Sequence, residues 1–204
     1  MNAGKNESDD ELLLRVQSGD EQAFLALYGR RQGAIYRFAL YMSGSPSAAE
    51  DITQEVFLAL IREGCGYDPD RGSLSGYLFG IARKLVLRFN ERARNDVVLD
   101  STSDNTHSPE FSVFEDPLAD LTRREGIMAL RRAVNALPRR YREVVVLCDL
   151  EEVDYVDAAA ILNCPVGTVR SRLHRARGLL VEKLQTDRSA RQPVRPLKPV
   201  RCVV

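Results

Sequence analysis

Apolar residues recur along this chain at three- and four-residue spacings almost throughout, and no stretch alternates with the period of two that a half-buried strand needs. The pattern predicts an all-α protein. Asp9 or Asp10 can cap a first short helix through Val16, and Asp20 a second, longer one to about Met42. Along the second, Phe24, Leu27, Tyr28, Ile35, Phe38 and Tyr41 make the inward stripe. Ser43-Gly-Ser-Pro46 breaks it, and Pro46 opens a third helix to about Arg62, with Phe57 and Leu58 expected in the core. Residues 64–72 are a loop rich in turn formers, after which Ser73 can cap a fourth helix through Arg94. Its inward side is Leu78, Ile81, Ala82, Leu85 and Phe89.

A second helical group follows: one helix from about Leu118 to Ala136, another opened by Pro138 and reaching about Leu150, and a short one from Tyr155 to Leu162. Asn163 suits a left-handed cap, and Pro165 suits the first turn of a last helix. The expected architecture is therefore two small helical domains, residues 1–94 and 118–185, the second containing a helix-turn-helix. Between them, residues 95–117 are poor in hydrophobic side chains and read as an acidic flexible linker. From residue 186 the chain is rich in Pro and Arg and reads as a disordered basic tail.

Charge sharpens this division. Lys plus Arg and Asp plus Glu balance at 29 each over 204 residues, so net charge alone does not announce a nucleic-acid binder. The balance conceals segregation. No Lys or Arg lies between Arg94 and Arg123, where Asp96, Asp100, Asp104, Glu110, Glu115, Asp116 and Asp120 fall. From Pro165 to Arg201 only Glu182 and Asp187 oppose a long series of cations. No apolar run approaches bilayer length, and the polar, acidic start is unlike a signal peptide, so a cytoplasmic protein without membrane insertion is expected. Cys65, Cys148, Cys164 and Cys202 show no metal-ligand spacing and read as free thiols, with Cys148 in the core; no metal and no cofactor are expected.

The most informative segment is Pro165-Val-Gly-Thr-Val-Arg-Ser-Arg-Leu-His-Arg-Ala-Arg177. As a helix it sets Val169, Leu173, Ala176 and Leu180 on one stripe, and Arg170, Ser171, His174, Arg175 and Gly178 on the opposite arc. One side sits on a core while the other offers cationic forks and a hydroxyl, which is what a recognition helix presents to the major groove. Ala158, Ala159 and Ala160 in the preceding helix are small enough to let it cross closely. Arg172 and Arg177 lie nearer the flanks, placed to pair with acids or phosphates.

Taken together, these motifs resemble the extracytoplasmic-function (ECF) sigma factors of the sigma-70 superfamily. Asp51-Ile-Thr-Gln-Glu-Val-Phe57 resembles their core-binding segment, Tyr77-Leu-Phe-Gly-Ile-Ala-Arg83 their promoter-melting helix, and Ala136-Leu-Pro138 with Arg142-Glu-Val144 the start of their region four. The resemblance implies a transcription initiation factor rather than an enzyme, with core RNA polymerase and promoter DNA as partners and an anti-sigma factor as regulator. It implies polymerase binding through Asp51, Gln54 and Glu55. It implies capture of a melted strand by Asp70, Arg71, Ser73, Tyr77, Arg83, Lys84 and Arg88, and contact with an upstream duplex by Thr168, Arg170, Ser171, His174 and Arg175. A free-standing helix-turn-helix regulator is the alternative, and it expects a homodimer that binds a palindrome without polymerase.

Overall fold

The computed structural model describes residues 7–63, 66–97 and 117–191. Eight α-helices make up nearly all of it, and there is no strand among the described residues. Helix α1 (Asp9–Gln17) is capped by Ser8 in a reciprocal box with Glu11, one position before the expected aspartates. Asp9 is instead the partner of Arg30 and Arg31, which ties α1 to α2. Asp20 caps α2 (Glu21–Ser43) as its sequence position predicts, and Gly44, with φ of 71°, closes it in the left-handed conformation.

Helix α3 (Pro46–Glu63), a 3-10 turn at Pro69–Arg71 and α4 (Leu74–Val97) complete the first domain. Leu27, Ile35, Phe38, Val56, Leu60, Leu78, Phe79 and Ala82 are buried between α2, α3 and α4. Phe38 meets Phe79 edge to face, ring centroids 5.5 Å apart. Phe57 is buried, but Leu58 is not the core residue its apolarity suggests: it stands 40% exposed on the outer side of α3.

The second domain comprises α5 (Pro117–Asn135), α6 (Arg139–Val145), α7 (Tyr155–Leu162) and α8 (Val166–Arg191). The helix opened by Pro138 changes hydrogen-bond register at Val146 and runs on to Leu150 as a π turn. Helix α8 continues to Arg191, past the expected start of a tail at residue 186. The expected linker falls almost wholly on residues 98–116 and the rest of the tail on 192–204, outside the described residues. Val134, Leu137, Val144, Leu147, Ala158, Val169, Leu173 and Ala176 form the core, with Ala158 and Ala159 buried beneath α8 and Ala160 exposed. Cys148 and Cys164 are free thiols, both only half-buried; burial pushes the Cys148 thiol up to about 11.

The two domains are docked, α7 against α4 and α6 against α2. At one end of the seam Arg37 of α2 grips Glu151 with two hydrogen bonds of 2.8 and 2.6 Å. Beside it, Arg142 Nη1 donates to the Tyr41 carbonyl at 3.1 Å. The Glu151 side chain is 1% exposed, and its burial outweighs the attraction of Arg37, so its carboxyl titrates above the ordinary value. A carboxyl raised by folding contributes its stability below the unfolded value and loses it as pH rises through the folded one. Burial of Glu151 therefore offsets part of what its pair with Arg37 contributes.

Two outcomes follow. Leu173→Ala should lower stability by about 2–5 kcal/mol, read from urea unfolding followed by circular dichroism, because the side chain is 2% exposed under α8. Glu151→Gln should leave the chain as compact as the parent or tighter, whereas Glu151→Lys, facing Arg37, should expand it. Small-angle scattering at neutral pH distinguishes the two results.

Candidate nucleic-acid interface

The outer side of α8 is positioned by the turn before it. Asn163 adopts the left-handed conformation (φ 51°, ψ 53°) and ends α7, with its backbone N–H donating back to Ala160. Asp154 caps the start of α7, accepting from Val156 and Asp157. Val169, Leu173, Ala176 and Leu180 are buried, from 0 to 9% exposed, and this anchors the register of α8. Arg170, Ser171, His174, Arg175 and Gly178 are consequently all exposed, and Thr168 is half-buried at the helix start. The Ser171 hydroxyl donates to the Thr168 carbonyl at 3.0 Å, and the Arg170 guanidinium lies 5.9 Å from the Tyr155 ring centroid.

Ion pairing sorts the arginines of this helix. Arg177 is committed to Asp149 through two hydrogen bonds of 3.1 and 2.6 Å. Arg172 turns towards Cys164 Sγ, 4.0 Å away. Arg170 and Arg175 form no salt bridge among the described residues. Sequence reasoning missed two neighbours on α6. Arg140 stacks on Tyr141, its guanidinium 4.7 Å from the ring centroid, and both line one notch with Thr168, Ser171, Arg172 and Arg175. Arg175 donates to the Tyr141 hydroxyl and, with Arg140 nearby, holds it below the usual phenol range despite partial desolvation. Such a depressed phenol marks a locally positive potential. No spacing in the sequence signals this, because Arg140 reaches α8 only through the packing of α6.

The residues expected to hold a melted strand divide into those left within the first domain and those engaged by the second. Lys84, Arg88, Arg92 and Arg94 are exposed along α4, as are Asp70 and Arg71 in the 3-10 turn. Tyr77 is half-buried against Tyr67, ring centroids 5.6 Å apart. Tyr67 in turn donates to Asp10 at 2.7 Å, and its hydroxyl is raised well above the usual phenol range, by burial first and by Asp10 second. The remaining two are taken up by the second domain. Arg83 donates from Nη1 to the Ile161 carbonyl at 3.3 Å, and its Nε lies 3.4 Å from the buried carboxylate of Glu143, which Arg139 also contacts. Ser73 donates to Asp157 of α7.

The third predicted set, Asp51, Gln54 and Glu55, is exposed on α3. Gln54 borders a groove between α2 and α3 lined also by Tyr28, Gln32, Tyr36 and Glu50. Its lining carries two tyrosines and one carboxylate, Glu50. Among the described residues no group of three His, Cys, Asp or Glu side chains is placed to hold a metal, and no helix is long and apolar enough to cross a membrane.

Two regions of the chain match known families: residues 27–95 match Sigma-70 region 2, and residues 127–180 match Sigma-70, region 4. The chain is 33% identical over 186 residues to the ECF RNA polymerase sigma-E factor of Escherichia coli, spanning 87% of this chain and 95% of that protein. It is 33% identical over 172 residues to the ECF RNA polymerase sigma factor SigE of Mycolicibacterium smegmatis, spanning 82% of this chain and 65% of that relative. Its fold is shared by the sigma factor RpoE of Bartonella quintana, solved in complex with the anti-sigma factor NepR. That match has a TM-score of 0.66 at 24% identity, over 81% of this chain and 99% of the other. Matched in both of its helical regions and along nearly the whole length of the Escherichia coli relative, the chain belongs to the ECF RNA polymerase sigma factors of the sigma-70 family.

Proposed function

We propose that the chain binds core RNA polymerase and directs it to promoters by two separate readings of DNA. The observation that carries this is the presence of two exposed cationic faces on different domains: Arg170 and Arg175 on α8, and Lys84, Arg88 and Arg92 along α4. A recognition helix reads duplex edges, and Arg170 and Arg175 are placed for guanine or phosphate, with Ser171 and His174 between them. Thr168, beside the first turn of α8, suits a phosphate. The long cationic side of α4, with Tyr77 near its start, suits an unpaired strand, whose phosphates follow the cations while its bases stack on rings.

The polymerase itself performs the chemistry; this chain contributes affinity and sequence choice. Asp51, Gln54 and Glu55 are the side chains assigned to polymerase docking, where complementary charge steers encounter as well as holding the complex. A protein anti-sigma factor, the kind of partner held by the Bartonella quintana sigma factor, is assigned as the regulator. Working with polymerase places the chain in the cytoplasm.

Reconstituted transcription tests the reading. With cognate core, the parent chain should initiate from its own promoter, and Arg170→Ala or Arg175→Ala should each weaken promoter binding roughly 5- to 150-fold, the range of a lost bidentate contact. Both variants should still bind core polymerase. A chain that binds its DNA tightly as a dimer without core, and does not initiate with it, would be a free-standing regulator instead.

A further inference from the structure

Arg170 and Arg177 lie seven residues apart on α8, a spacing that returns to the same side of a helix after two turns. One tyrosine from α7 meets both. The Arg170 guanidinium lies over the Tyr155 ring, 5.9 Å from its centroid, and Arg177 donates to the Tyr155 hydroxyl. Arg177 is itself fixed by two hydrogen bonds to Asp149 in the π turn. The tyrosine is thus held at its hydroxyl by a cation that is already neutralised, while its ring face is left to the other arginine.

The backbone beneath the tyrosine is fixed as well. Val153, two residues before it, is 7% exposed and donates from its N–H to the Leu147 carbonyl at 2.9 Å. Glu152 makes the turn in the left-handed region, with φ of 55°. Asp154 then caps α7, which Tyr155 opens. Among the described residues the Arg170 guanidinium has no salt bridge and no hydrogen bond, and the Tyr155 ring is the one group that orders it.

A bidentate contact with guanine needs the guanidinium plane in one orientation, facing both O6 and N7. A long exposed side chain samples many rotamers, and ordering them opposes binding. A guanidinium stacked on a ring that is held from elsewhere has given up much of that freedom before DNA arrives. We infer that Tyr155 is a positioning residue for Arg170: it presents the guanidinium plane to a guanine edge, so that sequence choice at that base pair depends on a tyrosine of the neighbouring helix. The inference rests on the duplex-reading role proposed above for α8.

The test uses holoenzyme reconstituted with cognate core on its own promoter, with 7-deazaguanine placed at one guanine of the upstream element at a time. This analogue keeps O6 and loses the N7 acceptor, so one of the two hydrogen bonds disappears. The reporting guanine is the one whose replacement weakens binding by the parent chain but not by Arg170→Ala. At that guanine, Tyr155→Ala should narrow the ratio of affinities, guanine over analogue, by roughly 2- to 5-fold, the range of an exposed cation–π contact. Tyr155→Phe, which keeps the ring, should retain the parent ratio. Tyr155→Leu, which keeps apolar volume at the start of α7 but no ring, should match Tyr155→Ala and serves where the alanine variant fails to fold. An unchanged ratio in the folded alanine or leucine variant overturns the inference, as does a Tyr155→Phe ratio as low as theirs. A loss equal for guanine and analogue also overturns it, because that marks a phosphate contact or a general loosening of α7. In each of these cases base reading by α8 stands, since Arg170→Ala has already identified the guanine. If no guanine separates Arg170→Ala from the parent, base reading by Arg170 fails and the inference falls with it.

Discussion

Buried carboxylates with partners in another domain set the terms for this structure. Glu143 is 6% exposed, Asp157 8%, and the Glu151 side chain 1%. Their partners across the seam are Arg83, Ser73 and Arg37. A carboxylate taken from water without a partner costs several kcal/mol, and its attraction to a partner repays that cost only when geometry is good. Partly separated domains would strand these groups in neither environment. In the docked chain each of these carboxylates has a partner across the seam.

The same reasoning decides which cations are available for nucleic acid. Along α8 the arginines look alike in sequence, yet Arg177 is neutralised by Asp149 while Arg170 and Arg175 are not. On α4, Lys84 and Arg88 are exposed, whereas Arg83 is drawn into the seam. Only cations free of a carboxylate release counterions in full when they meet phosphate, so they alone contribute fully to affinity. On the function proposed above, the working surface is a subset of the charged residues, selected by tertiary ion pairing. Arg140 joins it from another helix by lying over Tyr141 beside Arg175.

How far this was legible in the sequence depends on the range of the interaction. Local forces were readable: Asp20 as a cap, Asn163 as a left-handed turn, and the stripe from Val169 to Leu180 all depend on neighbours within a few residues. So was the all-α class, together with the family resemblance carried by three separated motifs. Errors arose where near-equivalent local choices competed. Ser8 rather than Asp9 caps α1, because Asp9 is bound by Arg30 and Arg31 from α2. Leu58 is exposed because the helical register gives the core side of α3 to Phe57, Val56 and Leu60. Helix α8 runs on to Arg191 because nothing in residues 186–191 breaks a helix, and the first proline of the tail comes later, at Pro193.

The sequence by itself determined the helices, the caps at Asp20 and Asn163 and the side of α8 that faces outward, since periodicity and capping act over one or two turns. Through the family resemblance it also implied Ser73 and Arg83 as residues for a melted strand. Only the tertiary structure decided that Asp157 and Glu143, lying in the other domain, occupy those two side chains in the docked chain. The physical reason is distance along the chain. Ser73 meets a partner 84 residues away, and its hydroxyl carries no local sign of which anion will reach it.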